Sequence, residues 1–231
     1  MIGKRKVILV GTGFVGMSMA YALLNQGNAS GVNELVLIDV LKDKAEGEAM
    51  DLCHGLPCSP SHMKIKSGEY SECKDADIVV ITAGLSQKPG QTRLELAEVN
   101  TKIMKQITES IMKSEFDGII IVASNPVDLM TYVVAEVSGL PKNRVIGSGT
   151  VLDTARLRYL MADYLKISSK NIHAYIMGEH GDSSFVPWDH AYVGCKKVKD
   201  VMKDNNHPME DLEKIHKGVV DAAYELSLIH I

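Results

Sequence analysis

The sequence predicts an α/β protein with a doubly wound parallel sheet, and two observations support this prediction. First, five short runs are rich in β-branched residues and lack the polar–apolar alternation of a half-exposed strand. They are residues 6–10, 34–39, 77–82, 118–124 and 144–147. Second, helix-like stretches such as 14–27 and 92–114 lie between these runs. Buried strands that alternate with helices indicate a parallel sheet joined by right-handed crossovers.

The composition limits the class of protein. The chain has 231 residues, of which 45% are hydrophobic and 23% charged, and its formal net charge is -4. This is ordinary for a globular protein and leaves no basic surplus for a nucleic-acid partner. No apolar run is long enough to cross a bilayer, and the run after the basic N-terminus is too short for a secretory signal. We therefore expect a cytoplasmic protein with neither a nucleic-acid nor a membrane partner.

The four cysteines are Cys53, Cys58, Cys73 and Cys195. A zinc site at Cys53 and Cys58 would need a second matched pair of ligands, which the sequence lacks. We interpret all four as free thiols and expect no metal.

The character of the chain changes near residue 150. A predicted helix over 154–165 leads to a predicted strand over 171–178, and mixed turns with short strands follow. We therefore place a first domain at residues 1–149 and a second, α+β domain at 150–231.

A glycine motif follows the first predicted strand and begins the first predicted helix. Gly11, Gly13 and Gly16 have the GxGxxG spacing, and the second strand ends at Asp39. In this context the glycines allow a tight turn, the approach of a pyrophosphate and close packing of helix on strand. Asp39 would accept hydrogen bonds from the adenosine ribose and repel a 2′-phosphate. The motif predicts a Rossmann domain that binds NAD rather than NADP; the alternative is a glycine turn without a ligand.

Polar side chains follow four of the predicted strands, where ligands of open parallel sheets bind. They are Arg93, Asn125, Asp153, Arg156 and His180. Taken singly, each has a structural interpretation: Arg93 as an exposed first-turn residue, Asn125 as a helix cap, and Asp153 with Arg156 as a solvated pair on one helix face. Taken together, after a dinucleotide motif, they indicate a catalytic crevice.

Five segments resemble the lactate and malate dehydrogenase family in their order and spacing, and within it the bacterial L-lactate dehydrogenases. The segments are GTGFVG, AGLSQKPGQTR, SNPVD, LDTARLRYL and GEHGDS. The resemblance implies an NAD-dependent enzyme of glycolysis and fermentation that interconverts pyruvate and L-lactate. It also implies a cytoplasmic homotetramer.

The resemblance assigns roles to the polar residues at the strand ends. His180 would be the acid–base group, since an imidazole titrates near neutral pH. Asp153 would hold its second ring nitrogen, and Arg156 would bind the substrate carboxylate. Arg93 would polarise the substrate carbonyl, and Asn125 would hydrogen-bond the reacting oxygen.

Gln87 discriminates between substrates under this resemblance. Related malate dehydrogenases have an arginine there that pairs with the second carboxylate of oxaloacetate, so a neutral glutamine favours pyruvate. Three alternatives stay open: a malate or other 2-hydroxy-acid dehydrogenase, an NAD-dependent glycoside hydrolase, which would need metal ligands, and a non-catalytic NAD-binding fragment.

Further contacts carry over by position. The cofactor contacts, besides Gly11, Gly13, Gly16 and Asp39, are Val15, Lys44, Tyr70, Gly84, Leu85, Ala123, Ser124, Asn125 and Ser148. Arg158 and His173 match positions at which bacterial relatives bind fructose 1,6-bisphosphate between subunits, an allosteric site. They also have a structural interpretation, as a helix-surface arginine and a strand-end histidine.

The family continues past residue 231, so we expect the second domain to be incomplete. The last six residues, LSLIHI at 226–231, resemble no family segment, and we interpret them as a candidate non-native end. We expect the chain as written to be inactive on its own.

Overall fold

The computed structural model describes residues 5–85 and 93–229, except for the side chains of residues 28, 93–95 and 223–229. The chain divides into two compact units, and the boundary in the sequence lies between Gly147 and Ser148. No helix in the described residues is long and apolar enough to cross a membrane.

The first unit is a six-stranded sheet in which every neighbouring pair of strands is parallel. Its strands are β1 (Arg5–Val10), β2 (Val32–Ile38), β3 (Lys64–Ser67), β4 (Ile78–Ile81), β5 (Ile119–Val122) and β6 (Val145–Gly147). Its α-helices are α1 (Phe14–Gln26), α2 (Lys42–Gly55), α3 (Arg93–Met112) and α4 (Val127–Ser138). The strand order is β3-β2-β1-β4-β5-β6, which is that of a Rossmann sheet, so the predicted fold class is confirmed.

Two apolar cores cover the two faces of this sheet. In β1, Ile8 and Val10 belong to one core, whereas Val7 and Leu9 belong to the other. The first core includes residues of α3 and α4, and the second includes residues of α1 and α2. Because successive side chains of a strand point to opposite faces, a sheet covered on both faces needs apolar residues at every position.

Strand β3 was missed at the sequence level. It lies at the edge of the sheet and pairs with β2 alone. Only Ile65 of its four residues is buried, between two lysines. A short edge strand with one apolar residue has no continuous apolar run, so the criterion that identified the buried strands could not detect it.

The second unit packs helices against a small antiparallel sheet. Its elements are α5 (Val151–Leu165), β7 (Ile172–His173), β8 (Tyr192–Val193), β9 (Lys196–Lys197), α6 (Val198–Asp204) and α7 (Glu210–Ile229). The core includes Leu157 and Met161 of α5, Met202 of α6 and Val219 of α7. Helix α7 extends into the segment interpreted as a candidate non-native end, and the interpretation of that end stays a prediction.

The predicted strand over 171–178 is shorter in the structure than expected. Strand β7 has two residues, and Met177 makes an isolated antiparallel bridge with Phe185. Between them, Ile176 is hydrogen-bonded through both backbone groups to threonine side chains of α5 and the residue before it, rather than to a strand. The strand is interrupted at Ile176 because its backbone groups form hydrogen bonds with side-chain hydroxyls and not with the backbone of a neighbouring strand.

Candidate active site

The glycine loop joins β1 to α1 and is shaped by close backbone contacts. Gly11 has a φ of +103°, and a Cβ there would lie 2.6 Å from the backbone nitrogen of Ala83. A Cβ on Gly16 would lie 2.1 Å from the carbonyl oxygen of Gly11, so a side chain at Gly16 would separate α1 from the loop. A Cβ on Gly13 would meet no atom within 4 Å. The loop therefore leaves open space at Gly13, at the N-terminus of α1, where backbone N–H groups attract a phosphate.

Asp39 follows β2 and is tied to the same loop. Its Oδ2 accepts hydrogen bonds from the backbone nitrogen of Thr12 at 2.7 Å and from Thr12 Oγ1 at 2.9 Å. Its Oδ1 accepts one from the backbone nitrogen of Leu41 at 3.0 Å. Burial alone would raise the pKa of Asp39, but these hydrogen bonds and the charge of Lys44 outweigh it and lower the pKa. The carboxylate is thus ionised and held in one orientation.

A cavity of about 590 Å³ lies beside the loop. Seven of the predicted cofactor residues line it: Gly11, Gly13, Asp39, Lys44, Tyr70, Gly84 and Leu85. Burial raises the pKa of Tyr70 to about 12, so its hydroxyl stays protonated at neutral pH and can donate a hydrogen bond. The glycine cradle, the ionised acid and the cavity fit a dinucleotide.

The cavity has a wall that sequence reasoning missed. Helix α3 contributes Ile103, Gln106, Ile107 and Ser110, and Val40, Thr82 and Ala83 complete the lining together with Val10. The four helix residues are spaced i, i+3, i+4 and i+7, which places them on one face. This spacing is visible in the sequence, but it does not distinguish a face that lines a cavity from one that packs against a core.

The other predicted cofactor residues of the first unit do not line this cavity. Gly16 packs under the loop, Val15 is exposed, and Ala123 is half-buried at the end of β5. Ser124 donates from its Oγ to the carbonyl oxygen of Ala83 at 2.6 Å. Asn125 is exposed, and its carbonyl oxygen accepts a hydrogen bond from Asn100. The N-cap of α4 is Pro126, and no side chain caps that helix, which is against the capping interpretation of Asn125.

The second unit contains the histidine–carboxylate pair. His180 Nδ1 lies 2.5 Å from Oδ2 of Asp153, which is in the first turn of α5. The Asp153 side chain is 11% exposed and the His180 side chain 23%. An ionised carboxylate can only accept hydrogen bonds, so the proton of this bond resides on Nδ1. Nε2 is then the ring nitrogen that can exchange a proton with a substrate.

Arg156 lies one helical turn after Asp153. Its Nη1 is 3.4 Å from Asp153 Oδ1, a weak contact, and its side chain is 16% exposed. Arg156 Nε is buried and has no hydrogen-bond partner among the residues that the structure describes. A buried donor without a partner is costly, so the Nε of Arg156 can accommodate an additional hydrogen-bond acceptor.

Two threonines hold the segment that leads to His180, a feature that sequence reasoning missed. Thr150 Oγ1 donates to the carbonyl oxygen of Ile176 at 2.7 Å, and the nitrogen of Ile176 donates to Thr154 Oγ1 at 3.0 Å. Both threonines flank Asp153, so α5 provides the carboxylate and also fixes the backbone four residues before the histidine. Ser148, at the start of this unit, accepts a hydrogen bond from the backbone nitrogen of Val151.

Two predicted substrate residues fall wholly or partly outside the described structure. Gln87 lies outside the described residues. Arg93 is the first residue of α3, and its side chain is not described.

Arg158 lines a second cavity, of about 820 Å³, whose lining also includes Lys170 and His190. Its Nε donates to the carbonyl oxygen of Ala174, and its guanidinium lies 4.6 Å from the ring centroid of Tyr175. His173 is exposed and is not among the lining residues.

In the part of the chain that the structure describes, no group of three or more His, Cys, Asp or Glu side chains is arranged to hold a metal ion. All four cysteines are free thiols. Cys73 is buried, and its burial raises the pKa of the thiol to about 12.

Comparisons with known proteins identify the family to which the chain belongs. Residues 5–147 match the NAD binding domain of lactate/malate dehydrogenases, and residues 150–227 match the alpha/beta C-terminal domain of the same family. The chain is 57% identical over 225 residues to L-lactate dehydrogenase 2 of Bacillus cereus and 56% identical to L-lactate dehydrogenase 1 of that species. Each alignment covers 97% of this chain and 71% of the relative.

Solved structures give the same result. A lactate dehydrogenase from a Medee basin deep-sea metagenome library superposes with a TM-score of 0.91 at 57% identity, covering 96% of this chain and 70% of that one. The minor L-lactate dehydrogenase of Enterococcus mundtii, in its ligands-bound form, gives a TM-score of 0.91 at 50% identity over the same shares. The chain belongs to the lactate/malate dehydrogenase family, and its cofactor is NAD.

Proposed function

We propose that His180 is the proton-transfer group of an L-lactate dehydrogenase, an enzyme that interconverts pyruvate and L-lactate, whose catalytic residues this chain carries. The activity is that of an NAD-dependent L-lactate dehydrogenase, the function of its relatives at 56% and 57% identity. The observation that carries the assignment of His180 is its 2.5 Å hydrogen bond to Asp153. This hydrogen bond fixes the orientation and the tautomer of the ring, as an acid–base histidine requires.

The cofactor would be held by the glycine loop and Asp39. The open space at Gly13 would receive the pyrophosphate at the N-terminus of α1, and Asp39 would accept hydrogen bonds from the adenosine ribose. Lys44, Tyr70, Gly84 and Leu85 would line the rest of the binding cavity. When bound, the nicotinamide ring supplies the hydride chemistry. Val15, Gly16, Ala123, Ser124, Asn125 and Ser148 remain proposed contacts on the family resemblance.

His180 would move the proton that accompanies the hydride. During lactate oxidation its Nε2 takes the hydroxyl proton, and during pyruvate reduction it returns a proton to the carbonyl oxygen. Asp153, whose Oδ2 lies 2.5 Å from Nδ1, would stabilise the imidazolium that forms. Because Asp153 also fixes the ring orientation, its loss would slow both directions.

Arg156 would bind the substrate carboxylate. A carboxylate offers two oxygens in a plane and can receive two parallel hydrogen bonds from a guanidinium. The buried Nε of Arg156 lacks a partner in the described structure, which supports a ligand of this kind. Arg93 as the group that polarises the carbonyl, and Asn125 as a donor to the reacting oxygen, rest on the family resemblance.

The choice of pyruvate over oxaloacetate is assigned to Gln87. An arginine at this position would pair with the second carboxylate of oxaloacetate and would have no partner when pyruvate is bound. We expect Gln87→Arg to shift the ratio of kcat/KM for pyruvate to that for oxaloacetate by about tenfold or more toward oxaloacetate, about 1.4 kcal/mol. Gln91→Arg adds the same charge to the same segment and is the matched control.

The measurement is NADH oxidation with pyruvate, oxaloacetate and longer 2-keto acids. It is made on the chain as given and on a version extended with the C-terminal segment of a relative, because this chain spans 71% of the relatives' length. If Gln87→Arg and Gln91→Arg changed the ratio of kcat/KM for pyruvate to that for oxaloacetate equally, Gln87 would not be the residue that determines this preference. NADH binding with no turnover in the extended protein would instead favour a non-catalytic NAD-binding module.

The proposal has three further parts. Fructose 1,6-bisphosphate is an effector, the assembled protein is a tetramer, and its location is cytoplasmic. Arg158 and Lys170 give the second cavity positive charge suited to a phosphate, and its lining includes His190 but not His173. Val151 and Tyr159, which also line it, are 71% and 70% exposed and would be covered in an assembly. Light scattering tests the assembly, and pyruvate reduction with and without fructose 1,6-bisphosphate tests the effector. A mass and an activity that fructose 1,6-bisphosphate leaves unchanged would reject the effector.

A further inference from the structure

We propose that Thr12 is a positioning residue that holds the Asp39 carboxylate and thereby sets the preference for NAD over NADP. Thr12 lies between the first two glycines of the loop and is 1% exposed. The inference rests on the proposed role of Asp39 as the acceptor for the adenosine ribose. It adds the residue that makes this acceptor rigid.

The hydrogen bonds to Asp39 leave the carboxylate little freedom. Oδ2 accepts from both the backbone nitrogen and the Oγ1 of Thr12, and Oδ1 accepts from the backbone nitrogen of Leu41. A carboxylate has about four lone-pair positions, so three are occupied and the one that remains is on Oδ1. A ribose hydroxyl therefore meets an acceptor whose position is already determined.

The side-chain hydrogen bond is the part of this arrangement that a mutation can remove. The backbone bonds from Thr12 and Leu41 persist with any residue except proline at position 12, whereas the Oγ1 bond needs a hydroxyl. Thr12 is buried, so its hydroxyl cannot be replaced by bulk water when a side chain of the same shape fills the site. With both oxygens restrained, Asp39 cannot turn away from a 2′-phosphate, and the repulsion between the two negative charges is retained in full.

The loop on the other side of Thr12 is also rigid, so the restraint is transmitted to Asp39. Thr82 Oγ1 donates to the carbonyl oxygen of Gly11 at 2.9 Å, and the nitrogen of Gly11 donates to the carbonyl oxygen of Ile38 at 2.8 Å. Residues 11 and 38 directly precede Thr12 and Asp39. The two ends of the Thr12–Asp39 hydrogen bond are therefore fixed to adjacent parallel strands.

The test compares Kd for NADH and for NADPH, measured by fluorescence titration of the 231-residue chain and its variants. Thr12→Val removes the hydroxyl and keeps the shape, and Thr12→Ser keeps the hydroxyl. We expect Thr12→Val to reduce the NADH-over-NADPH preference about tenfold, the value of one charge-assisted hydrogen bond. Thr12→Ser should retain the preference. In Thr12→Val the weakening of NADH binding on acidification should begin at a higher pH than in the parent, because Asp39 loses a donor that stabilises its charge.

The variant Asp39→Asn distinguishes a failure of the proposed role of Thr12 from a failure of the proposed role of Asp39. If Asp39→Asn lowers the preference and Thr12→Val does not, Thr12 has no positioning role, although the role of Asp39 stands. If neither changes the preference, the assignment of Asp39 itself is wrong. Thermal unfolding of each variant checks folding, and Thr12→Ala replaces Thr12→Val in the comparison if the valine variant does not fold.

Discussion

The candidate site of the first unit is formed mainly by backbone, whereas that of the second unit is formed by side chains. In the first unit the cofactor loop is shaped by backbone: Gly11 and Gly16 leave no room for a Cβ, and the loop is fixed between two buried parallel strands. In the second unit the site is made of side chains: His180 lies in an irregular segment and is positioned by Asp153. A backbone site should fail when atoms are added, whereas a side-chain site should fail when a functional group is removed.

The largest expected effect comes from removing the functional group of the second unit. His180→Asn should lower kcat by on the order of a hundred to ten thousand-fold, because a positioned acid–base group is lost. Kd for NADH should stay within about twofold of the parent value, since the glycine loop and Asp39 lie in the first unit. Steady-state kinetics and NADH titration of the extended protein measure the two quantities. Near-full turnover in His180→Asn would overturn the catalytic assignment.

Adding a methyl group to the glycine loop should separate folding from binding in the first unit. Gly16→Ala places a Cβ 2.1 Å from a backbone oxygen, so we expect it to destabilise the unit by about 3 kcal/mol or more. Gly13→Ala meets no protein atom within 4 Å, so it should cost at most about 1 kcal/mol of stability. It should nevertheless weaken NADH binding about tenfold, because the methyl group occupies the space proposed for the pyrophosphate.

Urea unfolding and NADH titration of the two alanine variants check this prediction. If both variants unfolded at the same urea concentration as the parent and bound NADH as tightly as the parent, the glycine loop would not be a site that fails when atoms are added.

A smaller effect than that of Gly16→Ala is expected from a charge network at the start of β1. Lys6 Nζ contacts Glu72 at 2.9 Å and Asp75 at 2.6 Å, and its side chain is 10% exposed. Lys6→Met leaves these carboxylates without this partner, although Lys66 still contacts Glu72. We expect a loss of about 1–3 kcal/mol at pH 7, between the values for exposed and buried pairs. Lys102→Met, which removes an exposed pair with Glu98, is the matched control and should have no measurable effect.

The same network should make the first unit sensitive to acid. Hydrogen bonds from Lys66 and Lys6 lower the pKa of Glu72, and the bond from Lys6 lowers the pKa of Asp75. Carboxyl groups with lowered pKa values contribute stability above their unfolded values, near pH 4, and lose it as pH falls through the folded values. Burial alone would lower the pKa of Lys6, but the bonds to Asp75 and Glu72 raise it, so its contribution is lost only above its ordinary pKa of 10.5.

Urea unfolding at a series of pH values tests this. Below about pH 4.5 the parent should lose stability more steeply than Lys6→Met, because the parent alone has the full network to lose. Parallel stability curves for the two proteins would show that the network does not contribute.

The sequence by itself determined the sheet, the position of the glycine loop and the candidate residues. Buried parallel strands need apolar residues on both faces, and this need is visible in uninterrupted runs such as residues 6–10 and 77–82. The glycine spacing followed by Asp39 indicated the cofactor, because close backbone approach leaves few alternatives to glycine. Edge strand β3 left no such trace, since only Ile65 of its residues needed to be buried.

Only the tertiary structure decided how these groups are held. The restraint of Asp39 by Thr12, the attachment of Ile176 to Thr150 and Thr154, and the cavity face of α3 all join residues that are distant in sequence. Hydroxyl groups are compatible with many environments, and residues at helical spacing can face a core as well as a cavity. Which partner such a group meets depends on the path of the whole chain, so local sequence patterns do not encode it.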